Sequence, residues 1–317
     1  MSLTSASEAQ AAMTPPLDGE FAFTRRDFRN IAAIMSTEAG ISLTDAKAPL
    51  VYARLVKRLR NLGMRSFREY CALVGEPKGA EERAHMITAL TTNITKFFRE
   101  QHHFDHLREQ VLPPLITSAR RGGRVRIWSA GCSSGEEPYS IALTILGLMP
   151  DAPRHDIKIL ATDIDTNVLR AGKAGVYNEQ STSPIDEEAR VRWLRPGRRA
   201  GDEKNWAVGT EMRQLVSFRR LNLIEDWPMR GPFQAIFCRN VVIYFEGQTS
   251  ERIWGRMAQI LSPGGHLYVG HSERMHRQTD VFAPIAHTIY RLMEQPSGMA
   301  PPQSEPLSSE PNQSESV

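Results

Sequence analysis

One stretch decides the fold, and it runs Arg126-Ile127-Trp128-Ser129-Ala130-Gly131-Cys132-Ser133-Ser134-Gly135-Glu136-Glu137-Pro138-Tyr139. Its apolar beginning predicts a buried strand, its two glycines predict a tight loop, and the residues after them predict the start of a helix. A strand, a glycine loop and a helix N-terminus in this order are typical of a nucleotide-type ligand site in an open α/β sheet. The alternative is a glycine turn with a purely structural role.

The charge at the predicted helix start narrows the class of ligand. A pyrophosphate binds a bare helix N-terminus, because its oxygens meet free N–H groups and the positive end of the helix dipole. In this chain the first turn already carries two carboxylates, Glu136 and Glu137, which would repel a phosphate and attract a cation. The expected cofactor is therefore cationic and free of phosphate, and S-adenosylmethionine (SAM) fits that description.

The composition is that of a globular protein from a reducing compartment. The 317 residues can bury a sizeable core, and the net charge of +3 is too small to indicate nucleic-acid binding. Three scattered cysteines without C-x-x-C spacing argue against a disulfide framework or a zinc site, so no metal is expected. No secretory signal is visible, and the longest apolar stretch, around Ile141 to Met149, is too short to span a bilayer. We therefore expect a cytoplasmic protein.

Changes in composition and periodicity divide the chain into five segments. Residues 1–20 and 294–317 are polar and contain prolines, which predicts disordered tails. Residues 21–90 have helical periodicity, and residues 91–122 are expected to form a linker and a helix. Residues 123–293 alternate strands with helices, which predicts a mostly parallel, doubly wound sheet. That alternation is interrupted between residues 177 and 215, so an inserted subdomain is expected there.

The second predicted helix, from about Asp45 to Leu62, carries a basic face beside its apolar stripe. At helical periodicity four cations fall on or next to that face: Lys47, Arg54, Lys57 and Arg58. One interpretation is a solvated helix face, and the other is a docking stripe for an acidic partner. The pattern leaves both open.

Polar residues follow the predicted strands at the edge where an open sheet binds its ligands. Asp163 ends the second strand, where a carboxylate could accept both hydroxyls of a ribose; its alternative role is to cap the next helix. Asp163 lies 32 residues after Gly131, farther than in a dinucleotide fingerprint, which weighs against NAD. Arg239 and Asn240 follow a later strand into the same crevice, and Tyr244 either lines its mouth or is a core aromatic.

Taken together, these segments resemble the chemotaxis receptor methyltransferases, the CheR family, over roughly residues 21–293. The matching motifs are ALTTNITKFFRE (89–100), AGCSSGEEPYSIA (130–142), ATDID (161–165), LNLI (221–224), IFCRNVVIYF (236–245) and PGGHLYVGHSE (263–273). The resemblance implies an N-terminal all-helical domain and a class I SAM-dependent methyltransferase domain with a small inserted β-subdomain. It also implies SAM as the cofactor and S-adenosylhomocysteine as its product.

The resemblance further implies a set of cofactor-binding residues: Asn93, Thr95, Arg99, Glu136, Asp163, Asn222, Leu223, Arg239 and Asn240. Glu136 would face the methionyl amino group and Asp163 the ribose. Glu137 is expected to serve only the helix dipole. Arg99 and Tyr244 are the positions that the family places nearest the transferred methyl group, and we expect them to be the catalytic residues.

The implied reaction is methyl transfer from SAM to glutamate side chains of chemotaxis receptors, which forms methyl esters. The partner would be the cytoplasmic helical region of a transmembrane chemoreceptor, and its rows of Glu would attract the basic stripe on the second helix. Neither nucleic acid nor insertion into the membrane is expected. Two alternatives stay open: an N-methyltransferase acting on nucleic acid or protein glutamine, and a SAM-binding regulator without turnover.

Overall fold

The stretch that begins at Arg126 supplies the middle of the central sheet. The computed structural model describes residues 19–197, 204–273, 275 and 280–293. Within these residues the strands are β1 (Val125–Ala130), β2 (Ile157–Asp163), β3 (Val176–Asn178), β4 (Leu194–Pro196), β5 (Asn205–Val208), β6 (Val216–Arg220), β7 (Phe233–Cys238), β8 (Leu261–Val269), β9 (Phe282–Ala286) and β10 (Ile289–Leu292). Seven of them form one sheet in the order β6-β2-β1-β7-β8-β10-β9.

The direction of the chain reverses beside β1. From β1 the chain proceeds to β2 and β6 on one side, then crosses to β7 and β8 on the other, and all of these neighbours pair in parallel. The last two strands pair antiparallel at the far edge. The expected mostly parallel, doubly wound sheet is confirmed. Its topological switch point lies between β1 and β7, and ligands of such sheets bind at the carboxyl ends of the strands there.

Helices cover the sheet and form the N-terminal part of the chain. In the described residues they are α1 (Arg25–Ala39), α2 (Ala48–Asn61), α3 (Phe67–Gly75), α4 (Ala80–Leu90), α5 (His102–His106), α6 (Leu112–Arg120), α7 (Glu136–Leu148), α8 (Thr166–Ala174), α9 (Glu179–Thr182), α10 (Glu187–Trp193), α11 (Thr210–Leu215) and α12 (Gly247–Ile260). A π turn, Leu107–Val111, joins α5 to α6. No helix of the described residues is long and apolar enough to cross a bilayer.

The first helix illustrates how local sequence sets the element bounds. Thr24 caps α1 in a reciprocal capping box with Asp27, and Gly40 ends it in the left-handed conformation at φ +71°. The apolar side of α1 packs into a core shared by α2, α3 and α4, in which the rings of Phe23 and Phe67 lie 4.4 Å apart. This core is separate from the two apolar clusters on the sheet.

The segment that interrupts the strand-helix alternation forms a second, smaller sheet. Its strands β3, β5 and β4 pair antiparallel in that order, between α8 and α11. The expected inserted β-subdomain is therefore present. The tail residues 1–18 and 294–317 lie outside the described residues, as do residues 198–203 of the insertion.

Candidate active site

A cleft of about 200 Å³ opens at the switch point, between the sheet and the helical part. Its walls come from α1, α2 and α4, from the loop that follows α4, and from the loops at the carboxyl ends of β1, β2, β6 and β7. Ten of the residues predicted for the site line it: Lys47, Asn93, Thr95, Arg99, Asp163, Asn222, Leu223, Arg239, Asn240 and Tyr244. Four predicted residues do not line it: Arg54, Lys57, Arg58 and Glu136.

The glycine loop after β1 brings main chain to the cleft wall. Gly131 and Gly135 have φ angles of +77° and +99°, which only glycine adopts freely. The amides of Gly131 and Cys132 both donate to the Thr162 carbonyl at 2.8 Å, so the loop is tied to the end of β2. A Cβ at Gly131 would lie 2.2 Å from Cγ2 of Val241. Because Gly131 has no side chain, its main chain can lie close to Val241 without a clash and can itself form part of the cleft wall.

Asp163 is held with both carboxylate oxygens fixed at the end of β2. Oδ2 accepts the amide of Ser133 and Oδ1 accepts the amide of Asp165, each at 2.9 Å. A carboxylate has further acceptor capacity beyond these two bonds, so Asp163 can accept hydroxyl groups from the cleft. Burial raises the pKa of Asp163, and the backbone amides oppose that rise. Asp165 caps α8 by accepting the amide of Asn167 at 2.7 Å.

The two glutamates at the start of α7 have different surroundings. Glu137 lines the cleft, accepting the Ser129 hydroxyl at 2.7 Å and a guanidinium N–H of Arg239 at 3.1 Å. Glu136 instead accepts the Ser134 hydroxyl at 2.7 Å and does not line the cleft. Glu137 is thus the one of the two that lines the cleft, and the expectation that Glu136 faces the ligand while Glu137 serves only the helix dipole stays a prediction. Successive helical residues point in different directions, and the sequence did not show which one faces β1.

Arg239 is a buried cation that connects the sheet to the loop after α4. Its guanidinium donates to Glu137 and to the carbonyl of Arg99, and it lies 3.3 Å from Glu100 Oε2. Burial raises the pKa of Glu137, and the charge of Arg239 opposes that rise. Glu137 and Asp163, the two acidic residues that line the cleft, are both largely buried, and we call their surface the floor of the cleft. With Glu100 beside Arg239, carboxylates outnumber cations at this floor.

The loop after α4 is fastened at several points. The Asn93 side chain donates to Asp165 Oδ2 at 2.8 Å, and its carbonyl accepts the Ser133 hydroxyl at 2.9 Å. Arg99 donates to the carbonyl of Ile94 at 2.9 Å. These hydrogen bonds make the loop a fixed wall of the cleft.

The mouth of the cleft is basic. Lys47, Lys96 and Arg99 line the cleft, and they are more exposed than the acidic residues of its floor, since Lys96 is exposed and Lys47 and Arg99 are half-buried. The Lys47 ammonium lies 5.5 Å from the centre of the Tyr244 ring. Tyr244 is half-buried and reaches the cleft from the 3₁₀ turn after β7. Its backbone carbonyl accepts the amide of Ser42 at 2.8 Å, which ties the turn to the helical part. Tyr244 is therefore placed at the mouth.

Two residues of the predicted docking stripe are engaged within the protein. Arg54 donates to the carbonyls of Leu90 and Thr91, each at 2.8 Å. Arg58 makes a bidentate pair with Glu82, a carboxylate that also accepts the Tyr70 hydroxyl. Of the other two cations, Lys57 is exposed on α2 and Lys47 lines the cleft, and a docking role for the stripe stays a prediction. Helical periodicity gives a face of α2 but not the neighbours packed against it.

Two of the predicted cofactor-binding residues, Asn222 and Leu223, belong to the loop after β6. The Asn222 side chain donates to the Glu38 carbonyl at 2.7 Å and to Glu225 at 3.0 Å, so it fastens α1 to this loop. Leu223 is buried and supplies an apolar surface to the cleft. These two predicted cofactor-binding residues thus supply one structural amide and one apolar wall.

Glu273 is an important residue that the sequence reasoning missed. It is buried, and its carboxylate accepts the amides of Asn240, Val241 and Val242 at 2.7 to 2.8 Å and that of Gly270. Asn240 has a φ angle of +59°, so the carboxylate holds a left-handed residue at the cleft. The motif ending in Glu273 was visible in the sequence, but no charge partner pointed to its role.

A metal centre is not found among the described residues, where no cluster of three or more His, Cys, Asp and Glu side chains could hold an ion. The groups that line the cleft match a cationic nucleoside: the fixed carboxylates Glu137 and Asp163, the apolar Leu223 and the main chain at Gly131. The chemistry of these groups therefore fits SAM.

Comparisons with known proteins identify the family. The CheR methyltransferase SAM binding domain matches residues 93–291, and the CheR methyltransferase all-alpha domain matches residues 26–91. A probable chemotaxis protein methyltransferase of Rhizobium etli is 51% identical over 256 residues, covering 80% of this chain and 95% of the relative. Chemotaxis protein methyltransferase 2 of Pseudomonas aeruginosa is 42% identical over 278 residues, covering 86% and 94%.

A third relative, the chemotaxis protein methyltransferase of Escherichia coli, is 37% identical over 285 residues, covering 89% of this chain and 96% of the relative. Both parts of the chain and nearly the whole length of these relatives are thus matched. Residues 93–291, which match the SAM binding domain, supply most of the residues that line the cleft at the switch point. The chain therefore belongs to the CheR family of SAM-dependent methyltransferases.

Proposed function

We propose that this enzyme methylates glutamate side chains of chemotaxis receptors in the cytoplasm, forming glutamate methyl esters. The names of its relatives and the charges of the cleft support the proposal. The single observation that carries it is the separation of charge, with an acidic floor at Glu137 and Asp163 and a basic mouth at Lys47, Lys96 and Arg99. A cationic cofactor suits the floor, and an anionic acceptor suits the mouth.

The residues of the floor and walls would hold the cofactor. Asp163 would accept the ribose hydroxyls, Glu137 would face the positively charged methionyl part, and Leu223 would pack on the adenine. When bound, SAM supplies an electrophilic methyl group on its sulfonium. Thr95, Asn240 and Gly131 also line the cleft and would complete the wall around the cofactor.

Arg99 and Tyr244 orient the acceptor. A glutamate carboxylate is ionised at neutral pH, so no general base has to remove a proton from it. The task of the protein is to align a carboxylate oxygen with the methyl group, which is a problem of positioning. Attack neutralises both charges, so an interaction that stabilised the separate ions too strongly would slow the reaction. A hydroxyl and a cation at the rim suit this task.

One assay separates the proposal from its two alternatives. The protein is incubated with SAM labelled in its methyl group and with membranes that carry chemoreceptors, and the labelled protein is then treated with base. We expect label on the receptor that base releases as methanol, because esters hydrolyse. Base-stable label would indicate N-methylation, and no incorporation would indicate a regulator without turnover.

A further inference from the structure

An apolar side chain, that of Ile94, is strongly exposed to solvent at the edge of the cleft, which we call its lip. Ile94 is 77% exposed, the highest value among the large apolar side chains of the described residues, and it lines the cleft. Single exposed apolar residues are common on protein surfaces and need no explanation by themselves. The position of Ile94 at a basic mouth and the rigidity of its backbone make it different.

Hydrogen bonds fix the backbone on both sides of Ile94. Its own carbonyl accepts Arg99 Nη1 at 2.9 Å. The preceding carbonyl, of Asn93, accepts the Ser133 hydroxyl at 2.9 Å, and the Asn93 side chain donates to Asp165 at 2.8 Å. The loop therefore holds the isoleucine toward solvent in a defined place, which lowers the entropy lost when a partner packs against it.

A second apolar side chain lines the same cleft from the helical part. Leu50, on α2, is 41% exposed. The cations Lys47, Lys96 and Arg99 line the mouth together with Leu50 and Ile94. This part of the cleft thus combines apolar side chains with positive charge. A partner with a complementary surface would carry an acidic residue with an apolar residue close to it.

We infer that Ile94, with Leu50, is a specificity-determining contact for an acidic amphipathic helix whose target glutamate has an apolar side chain one helical turn away. This inference rests on the proposed function. Residues three or four positions apart share one helix face, with Cβ atoms about 5–6 Å apart. A glutamate that enters the mouth therefore brings such a neighbour to the lip, where it packs on Ile94 while its acidic neighbours face the cations.

The test replaces the apolar contact without changing charge. Ile94→Ser is compared with Ile285→Ser, the same replacement at a 41% exposed isoleucine on β9, the edge strand farthest from β6. Steady-state methylation of a purified receptor cytoplasmic fragment gives kcat and KM, and calorimetry gives the Kd for SAM. We expect Ile94→Ser to raise the receptor KM about fivefold, the order of one lost apolar contact. Its kcat and SAM Kd, and every constant of Ile285→Ser, should stay at wild-type values.

A matched change in the receptor completes the design. Replacing the apolar residue one turn from the target glutamate by serine should raise KM for the wild-type enzyme but not further for Ile94→Ser, because both changes remove the same contact. An unchanged KM for Ile94→Ser, or a loss of SAM affinity instead, would overturn the inference. If the wild-type enzyme forms no receptor ester at all, the proposed function itself is refuted.

Discussion

Arg239 Nη1 donates to the Glu137 carboxylate at 3.1 Å, while Nη2 of the same guanidinium lies 3.3 Å from Glu100. The pair links β7 to the start of α7, and Glu100 links both to the loop that closes the cleft. Because two carboxylates share one cation, the floor keeps negative charge for a positively charged ligand. This arrangement makes Glu137 the acidic residue on which SAM binding should depend.

Glu137→Gln should therefore weaken SAM binding about tenfold or more, since it removes a buried charge that faces the ligand. Glu136→Gln is the matched control one position earlier and should leave the Kd within about twofold, because Glu136 bonds Ser134 outside the cleft wall. Titration calorimetry of both variants measures the difference. A larger loss in Glu136→Gln would contradict this assignment.

The brace formed by Glu273 gives a second prediction. Glu273→Gln replaces an acceptor oxygen by an amide N–H that faces backbone donors, so the turn from Asn240 to Tyr244 should shift. We expect kcat and SAM affinity to fall together by about tenfold, with a loss of stability of about 1–3 kcal/mol. Glu246→Gln, at an exposed acid next to the same turn, is the control. Unchanged kinetics in a folded Glu273→Gln enzyme would exclude the brace.

The basic face of α2 gives a prediction about stability. Arg58→Glu leaves Glu82 buried without its partner and should lower the free energy of unfolding by roughly 3 kcal/mol. Lys57→Glu, at the adjacent exposed residue, should change it by less than about 0.5 kcal/mol while reducing receptor methylation at low salt. Urea denaturation of both variants decides the matter. Equal stability of the two variants would show that the Arg58–Glu82 pair is not structural.

Two histidines, the buried His103 on α5 and the half-buried His266 on β8, predict a decline in stability in acid. Burial lowers the pKa of His103 to about 2 and that of His266 to about 4, so both are neutral in the native state at neutral pH. In the unfolded chain these rings bind protons below about pH 6.5, and native stability therefore falls as the pH drops from there. The slope from His103 approaches about 1.4 kcal/mol per pH unit.

The comparison that tests this dependence is His103→Gln against His85→Gln, at an exposed histidine of α4. Denaturation between about pH 7 and pH 4 should be less steeply pH-dependent in His103→Gln than in His85→Gln. Equal slopes in both variants would show that His103 does not contribute.

The architecture was largely predictable because its signals are local. The apolar strand and the glycines act within a few residues of one another, so β1 and the glycine loop lie where expected. Asp163 was predictable for the same reason, since the position of an acid at the end of a strand fixes which edge of the sheet it faces.

Pairing between distant segments was not predictable. Which of two adjacent glutamates faces the cleft depends on the partner that β7 supplies, Arg239, which lies about a hundred residues away. The engagement of Arg58 likewise depends on Glu82 in α4, and periodicity on α2 contains no information about that neighbour. Glu273 binds backbone amides, and because every residue except proline has such an amide, the residue types at 240–242 do not reveal the interaction.

The most direct test of the central claim, that this cleft positions an acceptor carboxylate at bound SAM, is turnover and SAM affinity measured side by side in Tyr244→Phe. Loss of one hydroxyl at the mouth should lower kcat by about tenfold or more and leave the SAM Kd within about threefold. Tyr290→Phe, on β10, is the control and should match the wild type. A Tyr244→Phe enzyme with wild-type turnover, or one whose turnover falls only because SAM no longer binds, would contradict the account.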